Sequence, residues 1–204
     1  MKKNKKFIYL ISPRKIKNKI FYNDLVSVFK SKKISFFQLR LKKENPKKII
    51  NIGKKIKTLC KRFNVKLIIN DNPFLAKKIN ADGCHVGQSD STVIKARKIL
   101  KNKIIGVTCH NSKKLIKKAI NDKADYIALG AFYSTKTKKV RHKAKLKLIK
   151  EAKKITKIPI VAIGGINLSN YKKLLLNKSN FLAISSYIWN NKKYKPIKAI
   201  LKLK

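Results

Sequence analysis

The sequence predicts an α/β protein, one (β/α)8 TIM-barrel domain over residues 1–204. Three observations carry that expectation. Short apolar runs alternate with longer, lysine-dotted segments of helical period, the pattern of repeated βα units on a parallel sheet. Eight such runs can be counted, enough to close a barrel in a chain of this length. No stretch rich in Pro, Gly and Ser divides the chain. A doubly wound open sheet is the alternative, because pattern alone does not show closure.

The first apolar run, 7–11, follows a basic lead over residues 1–6. That run is too short for a signal peptide and no small-residue cleavage site follows it, so the lead reads as a basic cap on a first strand. Runs at 36–40 and 67–70 flank a segment in which Ile49, Ile50, Ile52, Ile56, Leu59 and Cys60 make one apolar helical stripe. Asn72 before Pro73 reads as an N-cap with Pro at the first helical position. The fourth run, 83–86, is followed by the stripe Ile94, Ala96, Ile99 and Leu100. Leu115, Ile116, Ala119 and Ile120 do the same after the fifth run, 104–107. Runs at 126–129, 159–163 and 181–184 complete the set, and Ser169 is placed to cap a helix starting near Asn170.

A chain of 204 residues can bury a substantial core, and its 44% apolar content excludes disorder. No run approaches the ~18 apolar residues of a membrane-spanning helix. Cys60, Cys84 and Cys109 are odd in number and lack C-x-x-C or zinc spacing, which points to reduced thiols in a cytoplasmic protein. The net charge of +46, from 54 Lys and Arg against 8 Asp and Glu, raises nucleic-acid binding. Yet the lysines are dispersed from Lys2 to Lys204, and with abundant Asn and Ile they carry the bias of an AT-rich coding sequence. The weight therefore rests on the rare Asp, Gly and Gln.

In a (β/α)8 barrel, function belongs to the loops after the C-terminal strand ends. Asp71 follows the third run through Asn70, and Asp90 follows the fourth through Gly87-Gln88-Ser89. Carboxylates on adjacent strand ends can share one hard cation such as Mg2+; helix capping is the alternative at both positions. After the second strand, Gln38, Arg40 and Lys42 alternate with Leu39 and Leu41. The polar three thus share one face, suited to an anionic ligand unless it is an exposed strand edge. A long polar loop after the sixth run carries Thr135, Lys136, Thr137 and Lys138.

Gly164-Gly165 lets the backbone approach a ligand and presents N–H groups at a helix start, or else makes a tight turn. Ser185-Ser186 follows the eighth strand, and the loops after strands seven and eight are the usual phosphate cradle of this architecture. His85 lies inside a strand and is expected to be packed or hydrogen-bonded. His110 is expected in the loop after strand five, as a cap or an acid–base group, while His142 carries no signal.

Taken in order, the motifs Gln38-x-Arg40-x-Lys42, Asn70-Asp71, Ala81-Asp82-Gly83-x-His85-Val86-Gly87-Gln88-x-Asp90, Gly106-Val107-Thr108, Ala124-Asp125-Tyr126, Thr135-x-Thr137-Lys138 and Ala162-Ile163-Gly164-Gly165-Ile166 resemble the thiamine phosphate synthase family. The match runs from about residue 7 to residue 189. It implies a transferase of thiamine biosynthesis on a (β/α)8 barrel. Such an enzyme condenses 4-amino-2-methyl-5-(diphosphooxymethyl)pyrimidine with a 4-methyl-5-(2-phosphooxyethyl)thiazole, giving thiamine phosphate and pyrophosphate. The implied mechanism is dissociative: diphosphate leaves first, and the thiazole nitrogen captures a pyrimidine-methyl cation.

Position by position, the resemblance implies that Gln38, Leu39, Arg40, Leu41, Lys42 and Asn70 hold the pyrimidine diphosphate. Asp71 and Asp90 would bind the bridging Mg2+, and Thr108 would contact the pyrimidine. Thr135 and Thr137, with Lys136 between them, would cradle the thiazole phosphate substrate, whose phosphate group Gly165, Ser185 and Ser186 would fix. Arg40, Lys42 and Lys138 would act catalytically by stabilising the departing diphosphate. The sequence departs from the family pattern at Thr108, usually Ser, at Lys136, where Pro is common, and at Asn180-Phe181, which replaces a lead containing Gly and Asp. None of these removes a charged ligand.

Two rivals remain at this point. A thiazole tautomerase on the same fold would rely on His110 and would not need Arg40, Lys42, Asn70, Asp71 and Asp90. A non-specific nucleic-acid-binding barrel would need only surface charge. The expected partners are small phosphorylated substrates, with no specific nucleic acid and no membrane; oligomeric state is left open.

Overall fold

Eight strands form where the apolar runs fall: β1 (Ile8–Ile11), β2 (Ile34–Leu39), β3 (Lys66–Asn70), β4 (Gly83–Val86), β5 (Ile104–His110), β6 (Tyr126–Gly130), β7 (Ile160–Ile163) and β8 (Phe181–Ile184). The computed structural model of the chain describes residues 6–16, 19–135 and 142–204. All neighbouring strands are parallel, they pair in chain order, and β8 returns to β1 through Ile8↔Leu182, Tyr9↔Ala183 and Leu10↔Ile184. The sheet is a closed barrel, which removes the open-sheet alternative.

Between the strands run α1 (Lys19–Lys30), α2 (Pro46–Arg62), α3 (Pro73–Ile79), α4 (Val93–Leu100), α5 (Lys113–Asn121), α6 (Lys147–Ile155) and α7 (Tyr171–Leu176). After β8 come α8 (Ser186–Trp189) and α9 (Pro196–Lys202). Short polar side chains start four of these helices by accepting an orphan backbone N–H: Asn45 from Lys48, Asn72 from Leu75, Thr92 from Lys95 and Ser112 from Leu115. Ser169 does not cap α7; its hydroxyl donates to Asn167 Oδ1 at 2.7 Å, and Asn170 occupies the N-cap position. Among the described residues no helix is long and apolar enough to cross a membrane.

Strand alternation sorts the apolar side chains into two layers. One faces outward against the helices and includes Leu10, Phe37, Leu39, Leu41, Leu67, Ile69, Cys84, Ile105, Ile127, Leu129, Ile160, Leu182 and Ile184. The other fills the barrel with Tyr9, Ile11, Ile68, Tyr126, Ala128, Val161 and Ala183, packed by Phe36, Ile104, Ile163 and Phe181. Aromatic rings dominate this interior: Tyr9 lies 5.4 Å from Phe36, and Phe36 meets Phe181 edge-on at 5.0 Å. Gly106 makes room for one of them. A Cβ there would sit 1.9 Å from the Tyr126 ring, so a bare backbone on β5 is the condition for a tyrosine on β6 to cross the barrel.

The opposite, N-terminal end of the barrel is tied by a device that repeats every second strand. Asp82, before β4, accepts the Leu67 N–H of β3 at 2.8 Å and the Lys57 ammonium of α2 at 2.7 Å. Asp125, before β6, accepts the Ile105 N–H of β5 and an Arg97 N–H of α4, each at 2.7 Å. Asn180, before β8, accepts the Ile160 N–H of β7 at 2.9 Å and the Lys153 ammonium of α6 at 2.7 Å. The departure from family pattern at Asn180 therefore keeps the acceptor and loses only its charge.

Candidate active site

Asp71 and Asp90 meet at the C-terminal mouth of the barrel. Their carboxyl groups are close enough to share a hydrogen bond, and burial and then Asp71 raise Asp90 above the usual carboxylate range. Neither residue caps a helix, because Asn72 and Thr92 hold those places. Asp71 adopts a left-handed backbone (φ 66°), with its N–H donated to His85 O at 2.7 Å. Asp90 turns back on its own loop, accepting the Gly87 N–H at 3.0 Å.

Cations surround this pair. Lys42 Nζ lies 2.9 Å from Asp71 Oδ2. Burial pulls the Arg40 guanidinium below its usual range, while Asp71 and Asp90 oppose that shift and Arg14 adds to it. Arg14 thus joins the charges at the mouth from the loop after β1, a position the sequence reading did not single out. Ser12, on the same loop, accepts the Arg40 N–H at 3.0 Å and donates its own N–H to Gln38 O at 2.9 Å, which pins β1 to the end of β2.

The expected alternation on β2 is present. Gln38 is buried in the barrel, Arg40 is half-buried and Lys42 is exposed. Leu39 and Leu41 point the other way into the outer core. Their side chains cannot reach a ligand at the mouth, so the expected contribution of these two residues is restricted to main-chain groups.

Beneath the charges lies a polar row. Gln38 Nε2 meets Tyr9 Oη at 3.0 Å, Tyr9 Oη meets Tyr126 Oη at 2.8 Å, and Tyr126 Oη meets His85 Nδ1 at 2.9 Å. His85 Nε2 then meets Thr108 Oγ1 at 2.9 Å. Burial pushes His85 down to about 4, with Asp90 opposing and Arg40 reinforcing, so the imidazole is neutral at physiological pH. His85 is hydrogen-bonded as expected. Tyr9 was read only as part of the first strand and Tyr126 as part of the sixth and of the Ala124-Asp125-Tyr126 motif; their meeting across the barrel depends on closure.

On the far side of the mouth the expectations are met less evenly. The glycine pair does not start a helix, since α7 begins six residues later at Tyr171. Gly165 has φ 60°, and a Cβ on it would sit 2.2 Å from Ser134 O and 2.8 Å from Tyr133. The pair is a tight turn clasped by the loop after β6, with Asn170 Nδ2 donating to Gly165 O at 3.0 Å. Ser185 Oγ donates to Ser12 O at 3.1 Å, which fastens the end of β8 to the loop after β1. Ser186 opens α8.

His110 belongs to β5 rather than to the following loop, and its ring lies 4.5 Å from that of His142. His142 therefore has a defined neighbour that the sequence did not suggest. Asn70 ends β3 beside Asp71, and Thr135 lies in the loop after β6, directly before residues 136–141. Lys136, Thr137 and Lys138 lie outside the described residues.

A family model described as "Thiamine monophosphate synthase" matches residues 8–188. A protein of Pelagibacter ubique (strain HTCC1062) described as thiamine-phosphate synthase is 71% identical over 201 residues, covering 98% of this chain and 97% of that one. This chain belongs to the thiamine monophosphate synthase family. A thiamine-phosphate synthase of Nitrosomonas eutropha is 43% identical over 158 residues, 77% of this chain and 74% of the relative. Among solved structures, a thiamine phosphate pyrophosphorylase from Pyrococcus furiosus superposes with a TM-score of 0.85 at 26% identity, covering 98% of this chain and 94% of that one. The chain is an enzyme of this type, a transferase of thiamine biosynthesis on a TIM barrel.

Proposed function

We propose that the family's condensation runs at this mouth, on the carboxylates of Asp71 and Asp90 and the cations beside them. The observation that carries the reading is the meeting of two rare carboxylates with Arg40 and Lys42 at adjacent strand ends. The donor set suits Mg2+, a hard cation that binds one or two carboxylates and completes its shell from water and substrate phosphate. Among the described residues no group of three or more His, Cys, Asp or Glu is placed to hold a metal ion by itself. When bound, Mg2+ supplies charge neutralisation to the leaving diphosphate.

The chain's own residues do the rest. Arg40, Lys42 and Lys138 bind the diphosphate and offset the charge that grows on it as the C–O bond breaks. Both electrons of that bond leave with the diphosphate, and the lone pair of the thiazole nitrogen closes on the pyrimidine-methyl carbon. That nitrogen carries no proton, so no general base is needed. Gln38, Asn70 and Thr108 hold the pyrimidine, assisted by main-chain groups at Leu39 and Leu41. Thr135, Lys136 and Thr137 cradle the thiazole substrate, and Gly165, Ser185 and Ser186 hold its phosphate.

The test is to mix the phosphorylated pyrimidine and thiazole with Mg2+ and detect thiamine phosphate, which chelation of the metal should abolish. Arg40→Ala removes charged hydrogen bonds worth roughly 1.5–3 kcal/mol each, so condensation should slow about ten- to several-hundred-fold. His110→Ala should leave it intact. The reverse pattern, with thiazole isomerisation as the activity lost, would make this chain a tautomerase.

Three buried, unpaired cysteines suit a reducing compartment, and we assign the enzyme to the cytoplasm on that ground. Dispersed lysines should bind RNA or DNA weakly and with steep salt dependence, without sequence preference.

A further inference from the structure

The row of hydrogen bonds inside the barrel has a direction, and it can be followed from one end. Gln38 Nε2 can only donate, so Tyr9 Oη accepts from it at 3.0 Å. Tyr9 then has its own proton for Tyr126 Oη at 2.8 Å, and Tyr126 in turn donates to His85 Nδ1 at 2.9 Å. A neutral imidazole that accepts at Nδ1 carries its proton on Nε2. That N–H faces Thr108 Oγ1 at 2.9 Å, so the threonine accepts. No second side-chain bond takes the Thr108 hydroxyl proton among the described residues. At the other end, the amide that spends a nitrogen on Tyr9 keeps Gln38 Oε1 as an acceptor.

We infer that Tyr9, Tyr126 and His85 are positioning residues, which set one acceptor at Gln38 and one donor at Thr108 on two sides of the mouth. This rests on the proposed reading that Gln38 and Thr108 hold the pyrimidine. An aminopyrimidine offers the complement: N–H donors on its exocyclic amine and lone-pair acceptors on its ring nitrogens. A ring with a carbonyl in place of the amine would set an acceptor against Gln38 Oε1, leaving both unpaired at a cost. The three middle residues are buried and strand-borne, and His85 stacks on Tyr126 with planes 19° apart, so the row is held by packing as well. Reversal would require every member to turn together: the Gln38 amide flipped, both phenols rotated and the histidine proton moved to Nδ1.

The tautomer of His85 reports the direction in the protein alone. With three histidines in the chain, 15N spectra of histidine-labelled protein can be assigned by substitution of His110 and His142. The expected result is a protonated Nε2 and an accepting Nδ1; a protonated Nδ1 would overturn the inference. Tyr126→Phe interrupts the row with little change in shape. It should raise the KM for the pyrimidine diphosphate about three- to tenfold, leave that for the thiazole phosphate unchanged, and let both tautomers appear. Equal changes in the two KM values, or none, would also overturn it. A wild-type protein that makes no thiamine phosphate would instead strike the proposed function, because the tautomer is measured without substrate.

Discussion

Lys42 and Asp71 form a 2.9 Å ion pair at the barrel mouth, so a residue proposed for the diphosphate and a residue proposed for the cation are partners of one another. The pair is partly exposed, with 49% of the Lys42 side chain and 25% of the Asp71 side chain accessible, and is worth at most about 1 kcal/mol to folding. Asp71→Asn should therefore lower the melting temperature by no more than about 2–4 °C. Its effect on turnover should be far larger, roughly a hundredfold or more, since metal neutralisation of transition-state charge is worth several kcal/mol. Calorimetry and steady-state rates on one preparation compare the two. A variant that melts early but turns over normally would return Asp71 to a structural role.

Asp125 presents the opposite case. Its carboxylate takes both the Ile105 N–H and Arg97, far from the mouth. Asp125→Ala leaves a strand N–H without its acceptor and should cost about 1–3 kcal/mol. Denaturant titration should show that loss while kcat stays near wild type. Asp125→Asn should recover part of it, because Asn180 performs the same task at β8 without a charge.

Gly165→Val should damage the fold before it damages binding. Its backbone at φ 60° is costly for a branched residue, and its Cβ would overlap Ser134 O. Strain and overpacking together predict a loss of about 2–5 kcal/mol. The check is unfolding of the purified variant without substrate. Unaltered stability alongside a raised KM for the thiazole phosphate would place the ligand, rather than the loop after β6, against this glycine.

Alkaline pH should weaken the folded state. Burial pushes Cys84 and Cys109 up to about 12, and it raises Cys60, Tyr9 and Tyr126 far above their usual ranges. The unfolded chain sheds thiol protons from about 8.5 and phenol protons from about 10, whereas the folded chain keeps them. Stability is fully present below about 8.5 and falls as pH climbs toward the folded values. Urea midpoints should be level from pH 7 to 8 and decline by pH 10, and native protein should react slowly with thiol reagents.

Most of the fold was legible because each strand and helix announces itself over a few residues. The runs at 83–86 and 181–184 coincide with β4 and β8, and the parity of Gln38, Arg40 and Lys42 follows from a two-residue repeat. Asp71 and Asp90 stood out because acids are scarce, and the neighbouring caps Asn72 and Thr92 then left their carboxylates available to the mouth. What stayed hidden needs contacts between distant strands. Tyr9 and Tyr126 are 117 positions apart, and Gly165 is shaped by Ser134 rather than by the glycine beside it. Ser169 reads as a cap, but the turn with Asn167 engages its hydroxyl and the Asn170 side chain alike, so neither side chain caps α7.

Six of the eight acids are engaged: Asp82 and Asp125 at the floor, Asp71 at the mouth, and Glu44, Asp122 and Glu151 on the outside each face a Lys or Arg. With 54 basic residues against 8 acidic ones, the net charge of +46 gives the enzyme a positive long-range field. Such a field hastens the diffusional arrival of anionic reactants. It acts equally on what must depart, and pyrophosphate, the most highly charged species in the reaction, has to climb out of it. Rising ionic strength shortens the reach of the field, to about 8 Å at 0.15 M salt. Capture then slows while escape quickens, and the salt concentration that maximises throughput is where those two opposing kinetic demands cross.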